Sequence, residues 1–201
     1  MSVEQKQIKF PNQEQSPILK EARKEKFRIL RPCEYELIRK TARKIQQQTR
    51  LDALLLTGAR YVEVQRLHDH KEWFEGRFVK LPSEASRKVE RTQRERWVRL
   101  SNKGVAVLPY FFTVENLPTA RAWSYNLKGW AMKARLDPIG LSAKTMRKTM
   151  ESWLAFYYPE MLHAIILSQG HTWTTAFGHY LNLPFTEGDR REMKEWLDGW
   201  I

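Results

Sequence analysis

Cysteine occurs once in the 201 residues, at Cys33, which excludes an internal disulfide and leaves no basis for a cysteine-ligated zinc site. No apolar run approaches the roughly 20 residues that a bilayer-spanning helix requires. The opening Met1-Ser2-Val3-Glu4-Gln5-Lys6 lacks the apolar core of a secretory signal, so the expected compartment is intracellular. No internal repeat recurs. Acidic residues are the minority charge, 23 against 35 Lys and Arg, giving a net charge of +12 and a pI near 9.9. What the chain does have is 42% hydrophobic residues and eight tryptophans, the composition of a packed core and not of a disordered segment. Its length fits one domain, with room for a short arm.

The positive charge is not spread evenly. Residues 1–50 hold 13 Lys/Arg against 6 Glu, and residues 77–103 hold 9 against 3, whereas residues 181–201 hold 3 against 5 acidic side chains. A field of this sign and size favours a polyanionic partner, nucleic acid more often than an anionic membrane surface.

Along the chain, residues 1–30 are rich in Gln, Lys and Glu, with Pro11 and Pro17 interrupting any long helix. They read as a basic arm or linker with one helix around Ile18–Phe27. From Glu34 to Gln48, Tyr35, Leu37, Ile38, Ala42 and Ile45 recur at near-helical spacing. Arg39, Lys40, Arg43 and Lys44 form the basic outer face of this helix. Leu51–Leu56 is apolar nearly all round, as in a buried helix, and stops at Thr57-Gly58; a new helix, Tyr61–Leu67, follows Arg60.

Residues 77–81 and 96–100 read as two antiparallel strands, with Val105–Leu108 as a possible third. The long connection from Pro82 to Gln93 carries Arg87, Lys88 and Arg91. After Pro118 the pattern is helical, over about 119–135, 143–157, 159–168, 172–182 and 188–199. The expected fold class is mainly α with a small antiparallel β-sheet (α+β), one domain spanning about 31–201.

Three clusters carry chemical potential. Arg60 follows a Gly-Ala turn at the start of a helix, where limited solvent access demands a partner; Glu63, one turn on, can orient it, either as a structural pair or so that its fork faces phosphate oxygens. Lys144 and Arg147 lie three apart in the first turns of a helix opened by Ser142 and are expected on its surface, beside a stripe of Met146, Met150, Trp153 and Tyr157. Two cations there oppose the helix dipole unless an anion is bound; the plainer reading is two solvated side chains. In Gly170–Tyr180, His171 and Tyr180 are nine residues apart, roughly 13 Å along an unbroken helix, so Gly178 would have to break that helix to let them meet. Tyr157 and Tyr158 are competing phenols. His171 and His179 are not expected to bind metal, for want of a carboxylate or cysteine partner.

These clusters resemble the catalytic domain of the tyrosine recombinase (phage integrase) family. Leu54-Leu55-Leu56-Thr57-Gly58-Ala59-Arg60-Tyr61-Val62-Glu63 resembles its leucine-rich T-G-x-R-x-x-E motif, Leu141–Thr149 its H-x-x-R-H motif, and Leu167–Tyr180 its L-G-H-x-x-x-x-T-T-x-x-Y motif. Lys144 replaces the usual histidine of the second motif, Lys148 follows Arg147 in place of another, and Ser168-Gln169-Gly170 departs from the usual L-G. The lysine in the second motif and the minimal length look similar to integrases of archaea and their viruses. The family's separate DNA-clamping domain has no room in the first thirty residues.

The resemblance implies a chemistry. Tyr180 attacks a scissile phosphate of double-stranded DNA to form a 3′-phosphotyrosyl intermediate, and the reverse step rejoins strands. Arg60 and Arg147 clamp the non-bridging oxygens, and Lys144 and His171 assist. The family lysine lies in the β2–β3 turn and maps to Lys88, with Arg91 or Lys80 as alternatives. Arg87, Arg91, Lys80, Arg43 and Lys44 would contact DNA. No cofactor and no metal is implied, and assembly of two to four copies on DNA is expected, with the apolar stripe Met193, Trp196, Leu197 and Trp200 serving either that contact or the chain's own core. The competing readings are a DNA-binding protein on the same fold with weakened catalysis, and relaxation of supercoils by the same chemistry.

Overall fold

The computed structural model describes residues 28–85, 95–115, 117–170 and 185–201. The predicted arm helix Ile18–Phe27, most of the loop carrying Arg87, Lys88 and Arg91, and the predicted helix 172–182 lie outside the described residues. Within them are eight α-helices and one three-stranded antiparallel sheet, a mainly helical α+β architecture.

Helix α1 (Pro32–Thr41) is followed by α2 (Ile45–Thr57) and α3 (Tyr61–Asp69). The predicted helix over Glu34–Gln48 is therefore broken after Thr41. The Thr41 hydroxyl donates back to the Ile38 carbonyl and also lies within hydrogen-bond distance of the Trp130 carbonyl, drawing the chain toward a neighbouring helix. Beyond the break Ile45 is exposed, and the apolar series resumes at Leu51.

The second helix is the spine of the fold. Every residue from Leu51 to Thr57 is buried, because α4 (Asn102–Phe111) covers one side of α2 and α6 (Thr145–Tyr157) another. A helix enclosed this way needs no polar face, which is why Leu54, Leu55 and Leu56 follow one another without interruption.

The sheet is β1 (Phe74–Glu75), β2 (Phe78–Leu81) and β3 (Arg96–Arg99), in that order. The register pairs Phe78 with Arg99, Val79 with Val98, Lys80 with Trp97 and Leu81 with Arg96. Val79, Leu81, Val98 and Arg96 consequently share the inward face, and Phe78, Lys80, Trp97 and Arg99 the outward one. The third strand expected at Val105–Leu108 does not exist. Those residues belong to α4, whose N-terminus is fixed by the Ser101 hydroxyl accepting the Gly104 N–H at 3.2 Å, and the sheet is completed by β1 instead.

Helix α5 (Ala120–Lys133) packs on α1, α7 (Leu162–Gln169) packs on β3 and α6, and α8 (Glu187–Leu197) crosses α1, α4 and α6. The C-terminal stripe is part of this core: Met193, Trp196, Leu197 and Trp200 are all buried. Trp196 meets Tyr35 edge to face at 5.0 Å, and Arg31 clamps Asp189 through two hydrogen bonds of 2.7 and 2.9 Å. The packed region also extends upstream of residue 31, since Leu30 is buried and its carbonyl accepts the Trp153 indole N–H at 2.8 Å. None of the described helices is long and apolar enough to cross a membrane.

Candidate functional site

The turn between α2 and α3 sets the position of Arg60. Thr57 donates its hydroxyl to the Ala53 carbonyl at 2.7 Å and accepts the Ala59 N–H at 3.3 Å, closing the helix end. Gly58 then adopts a left-handed conformation, φ 55°, against the Gln169 side chain; a Cβ there would lie 2.9 Å from that amide. Both the dihedral and the close approach require glycine. Arg60 emerges as the cap residue of α3.

Glu63, fully buried on the first turn of α3, receives Arg60 twice: the backbone N–H at 2.7 Å and a guanidinium nitrogen at 2.8 Å. The partnership expected from the sequence is present, with the Arg60 side chain still about a third exposed. A second guanidinium, from Arg96 on β3, reaches the same carboxylate through Nη1 at 3.1 Å and Nη2 at 2.6 Å.

Arg147 is placed differently from the expectation. It is not on the surface of α6 beside Lys144 but buried, because α6 is covered by α2 on one side and by α7 and α8 on others; from Thr145 to Ala155 only Lys148 escapes full burial. Its Nη1 donates to the Gly58 carbonyl at 2.9 Å and to the Gln169 side chain at 3.2 Å, its Nη2 donates to the Gln169 carbonyl, and its Nε pairs with Glu151 at 2.8 Å. Glu151 also takes Lys148 at 3.3 Å. Burial lowers the Arg147 pKa from its ordinary value; Glu151 opposes the shift, and the neighbouring charges of Arg60 and Arg96 add to it.

Arg60, Arg96 and Arg147 thus share one electrostatic neighbourhood, built from the α2–α3 turn, strand β3, helix α6 and the end of α7. Among the described residues this cluster, with Lys148, sets four cations against the carboxylates of Glu63 and Glu151. The adjoining sequence 171–184 contains no Asp or Glu. Surplus positive charge in a largely water-excluded place is stabilised by an anion.

The other predicted residues are distributed as follows. Lys144 is exposed at the cap position of α6, which begins at Thr145 and not at 143, and its backbone N–H donates to the Ser142 hydroxyl. Lys80 sits on the outward face of the sheet, 3.4 Å from Glu95 and 5.6 Å from the Trp97 ring centre, away from Arg96 and Glu63. Arg43 and Lys44 are exposed in the connection between α1 and α2. Lys88, Arg87, Arg91, His171 and Tyr180 lie outside the described residues. Of the competing phenols, Tyr158 is buried with its hydroxyl donated to the Leu197 carbonyl at 3.1 Å, and burial raises its pKa. Among the described residues no group of three or more His, Cys, Asp or Glu side chains could hold a metal ion.

Three residues of the cluster, Arg96, Gln169 and Glu151, were not singled out from the sequence. Arg96 occupies an inward position of a strand, two residues before Val98, and a charged side chain at an inward position is itself a signal of a buried partner. Gln169 stood out only as a departure from a family pattern, and it is one of the groups that hold Arg147.

No protein-family model matches the chain, and no curated protein matches it in sequence.

Proposed function

We propose that the chain is a DNA strand transferase of the tyrosine recombinase type, cleaving and rejoining duplex DNA through a 3′-phosphotyrosyl intermediate. The observation that supports this most is the meeting of Arg60 and Arg147, 87 positions apart in the sequence, in one cation-rich cluster. The mainly helical fold with a small antiparallel sheet is consistent with that family's catalytic domain, and both arginines fall on its motifs.

In this reading a scissile phosphate enters beside the partly open Arg60. Arg147 is held by neutral carbonyl and amide acceptors at Gly58 and Gln169, which an anionic phosphate oxygen outcompetes because charge-assisted hydrogen bonds are stronger. The Tyr180 hydroxyl passes its proton to His171 as its oxygen bonds to phosphorus. The bond from phosphorus to the 5′-oxygen breaks, and that oxygen takes a proton from Lys88. The arginines stabilise the charge that builds on the non-bridging oxygens; a single donor of this kind is worth roughly 100- to 1000-fold in rate. Lys144 and His171 assist, His171 following in sequence directly after Gly170 at the edge of the cluster. Rejoining is the same step reversed, so no nucleotide hydrolysis is called for.

A nicked suicide duplex, whose short 5′-hydroxyl product diffuses away, traps the intermediate. The expected result is a covalent protein–DNA band that resists detergent. Duplex binding without such a band would support instead the non-catalytic reading, which the lysine at position 144 motivates.

A further inference from the structure

The outward face of the sheet is not used by the strand-transfer chemistry. The β2–β3 register sets Phe78 opposite Arg99 and Lys80 opposite Trp97, so aromatic and cationic side chains alternate across the two strands. The Arg99 guanidinium lies over the Phe78 ring at 5.5 Å, and the Lys80 ammonium lies 5.6 Å from the Trp97 ring centre. The two rings meet edge to face at 6.3 Å. Cross-strand contacts of this kind hold a hairpin together, and that role alone would account for the alternation.

Two observations go beyond what a hairpin requires. Trp97 is 43% exposed, although its strand neighbours Arg96 and Val98 are buried. The Arg99 guanidinium has no ion pair and no hydrogen bond among the described residues, and its Nε is shut off from solvent without a partner. A buried donor left unsatisfied costs free energy, so a ligand that brings an acceptor to it is favoured. The acidic neighbours are Glu75, opposite Phe78 in the β1–β2 register, and Glu95, 3.4 Å from Lys80. Both are exposed, and an ion pair as open to water as Lys80 with Glu95 is weak.

An exposed indole beside a cation that lacks an acid suits an unpaired nucleotide: the ring face takes the base, and the cations take the flanking phosphates. The bases of a duplex are already stacked on one another and gain nothing from the ring. We infer that the outward sheet face binds single-stranded DNA, with one base stacked on Trp97 and with Arg99 and Lys80 on its phosphates. The choice of DNA rests on the strand-transfer reading, in which cleavage frees a 5′-ended strand; the stacking does not. Trp97 directly follows Arg96, whose side chain turns inward to the Glu63 carboxylate. The face therefore lies on the reverse side of a strand that borders the arginine cluster, and a freed strand seated there stays beside the phosphate site until it is rejoined.

The test uses the full chain and short fluorescein-labelled probes of equal length: oligothymidylate, oligouridylate, a chain of abasic sites, and a duplex. Fluorescence anisotropy gives their affinities for the wild type and for Trp97→Ala, Trp97→Phe and Arg99→Gln. The wild type should bind oligothymidylate more tightly than the abasic chain or oligouridylate. Trp97→Ala should weaken oligothymidylate binding about 5- to 150-fold, the worth of one base–aromatic stack. Its duplex affinity, and its rate of adduct formation on the nicked duplex, should not change. Trp97→Phe should keep most of the oligothymidylate affinity. Arg99→Gln should flatten the dependence of log affinity on log salt by about 0.7, the share of one phosphate of a single strand; this slope decides the matter if Trp97→Ala does not fold.

Equal affinity for the abasic chain, or oligothymidylate binding undiminished in Trp97→Ala, would reduce the face to a hairpin ladder and overturn the inference. Parallel loss of duplex and single-strand binding would overturn it too. Tighter binding of oligouridylate would overturn the choice of DNA. If the wild type forms no covalent adduct, strand transfer fails; binding of oligothymidylate over the abasic chain that depends on Trp97 would still support the stacking site.

Discussion

The guanidinium of Arg147 donates a 2.9 Å hydrogen bond to the carbonyl of Gly58, across 89 residues of sequence and two residues before Arg60. This bond joins the turn that presents one arginine to the helix that carries the other. It depends on a backbone conformation that only glycine adopts without strain at this position.

Substituting Gly58 with alanine tests that dependence. The left-handed backbone costs a non-glycine residue about 1–2 kcal/mol, and the new methyl pushes on the Gln169 amide that accepts from Arg147. Gly58→Ala should lower the urea midpoint by the equivalent of about 1–3 kcal/mol. Its affinity for duplex DNA should fall as well; an unchanged affinity would mean that the turn does not hold the anion site.

Glu63→Gln removes the carboxylate on which Arg60 and Arg96 converge while keeping its shape. Two guanidiniums, one of them buried, then face a neutral amide at a buried position. Breaking a buried pair by removing one partner costs about 3–5 kcal/mol, and denaturant unfolding should show a loss of that order. Glu72→Gln, at an exposed position, should unfold at the wild-type midpoint.

The C-terminal helix supplies a pH-dependent contribution. Burial pushes the Asp189 carboxyl up, but hydrogen bonds from Arg31 and from Thr186 outweigh it and hold the group below the usual carboxylate range. A carboxyl whose folded pKa is depressed stabilises the fold above its unfolded pKa, about 3.9, and loses that contribution as pH falls through the folded value. Asp189→Asn should therefore be less stable than the wild type at pH 7, by about 1–2 kcal/mol for a helix-capping residue whose arginine partner is part-exposed. The difference should begin to shrink near pH 4, and the two proteins should converge only once the pH has fallen below the depressed folded value. A difference that persists unchanged at pH 2.5 would show that packing, not charge, is responsible.

Trp196→Ala measures how far the last helix belongs to this chain's own core. The indole is buried against Tyr35 and lies under the Lys103 ammonium, 3.3 Å from its ring centre. Truncation of a buried tryptophan costs about 3–5 kcal/mol, and thermal denaturation should show it in dilute protein without DNA. A loss below about 1 kcal/mol would return this stripe to the role of an assembly surface.

Much of the fold was legible because burial and periodicity agree. The apolar run at Leu51–Leu56 marked the enclosed helix, and the Thr57-Gly58 signal marked its end. The stretch before Pro159 and Glu187–Leu197 matched helices to within two residues, while the helix expected from 159 starts at Leu162, after a 3-10 turn over Pro159–Met161. The failures have physical causes. Val105–Leu108 has β-rich composition, yet the capping serine at 101 and the burial of Gly104, Leu108 and Phe111 along one face of α4 favour a helix. Strand β1 is two residues long and has no alternation to read. The break after Thr41 coincides with a tertiary approach of its hydroxyl to the Trp130 carbonyl, 3.0 Å away, which no local pattern records.

The site was legible in the same partial way. Arg60 with Glu63 could be read locally, since both partners stand on one turn. The burial of Arg147 could not, because it depends on α2, α7 and α8 closing over α6. Arg96 pairs with a residue 33 positions away. Only its inward register beside Val98 announced it, and that inference needs the strand to be placed first.

The central claim is that a phenolic oxygen at position 180 becomes covalently joined to DNA at the cluster of Arg60 and Arg147. Its most direct test is to trap the protein on a nicked duplex, digest both components, and sequence the nucleotide-bearing peptide by mass spectrometry. The account predicts a 3′-phosphotyrosyl bond at Tyr180, absent from Tyr180→Phe although that variant still binds the duplex. An adduct on another residue such as Tyr157, or cleavage undiminished in Tyr180→Phe, would contradict it.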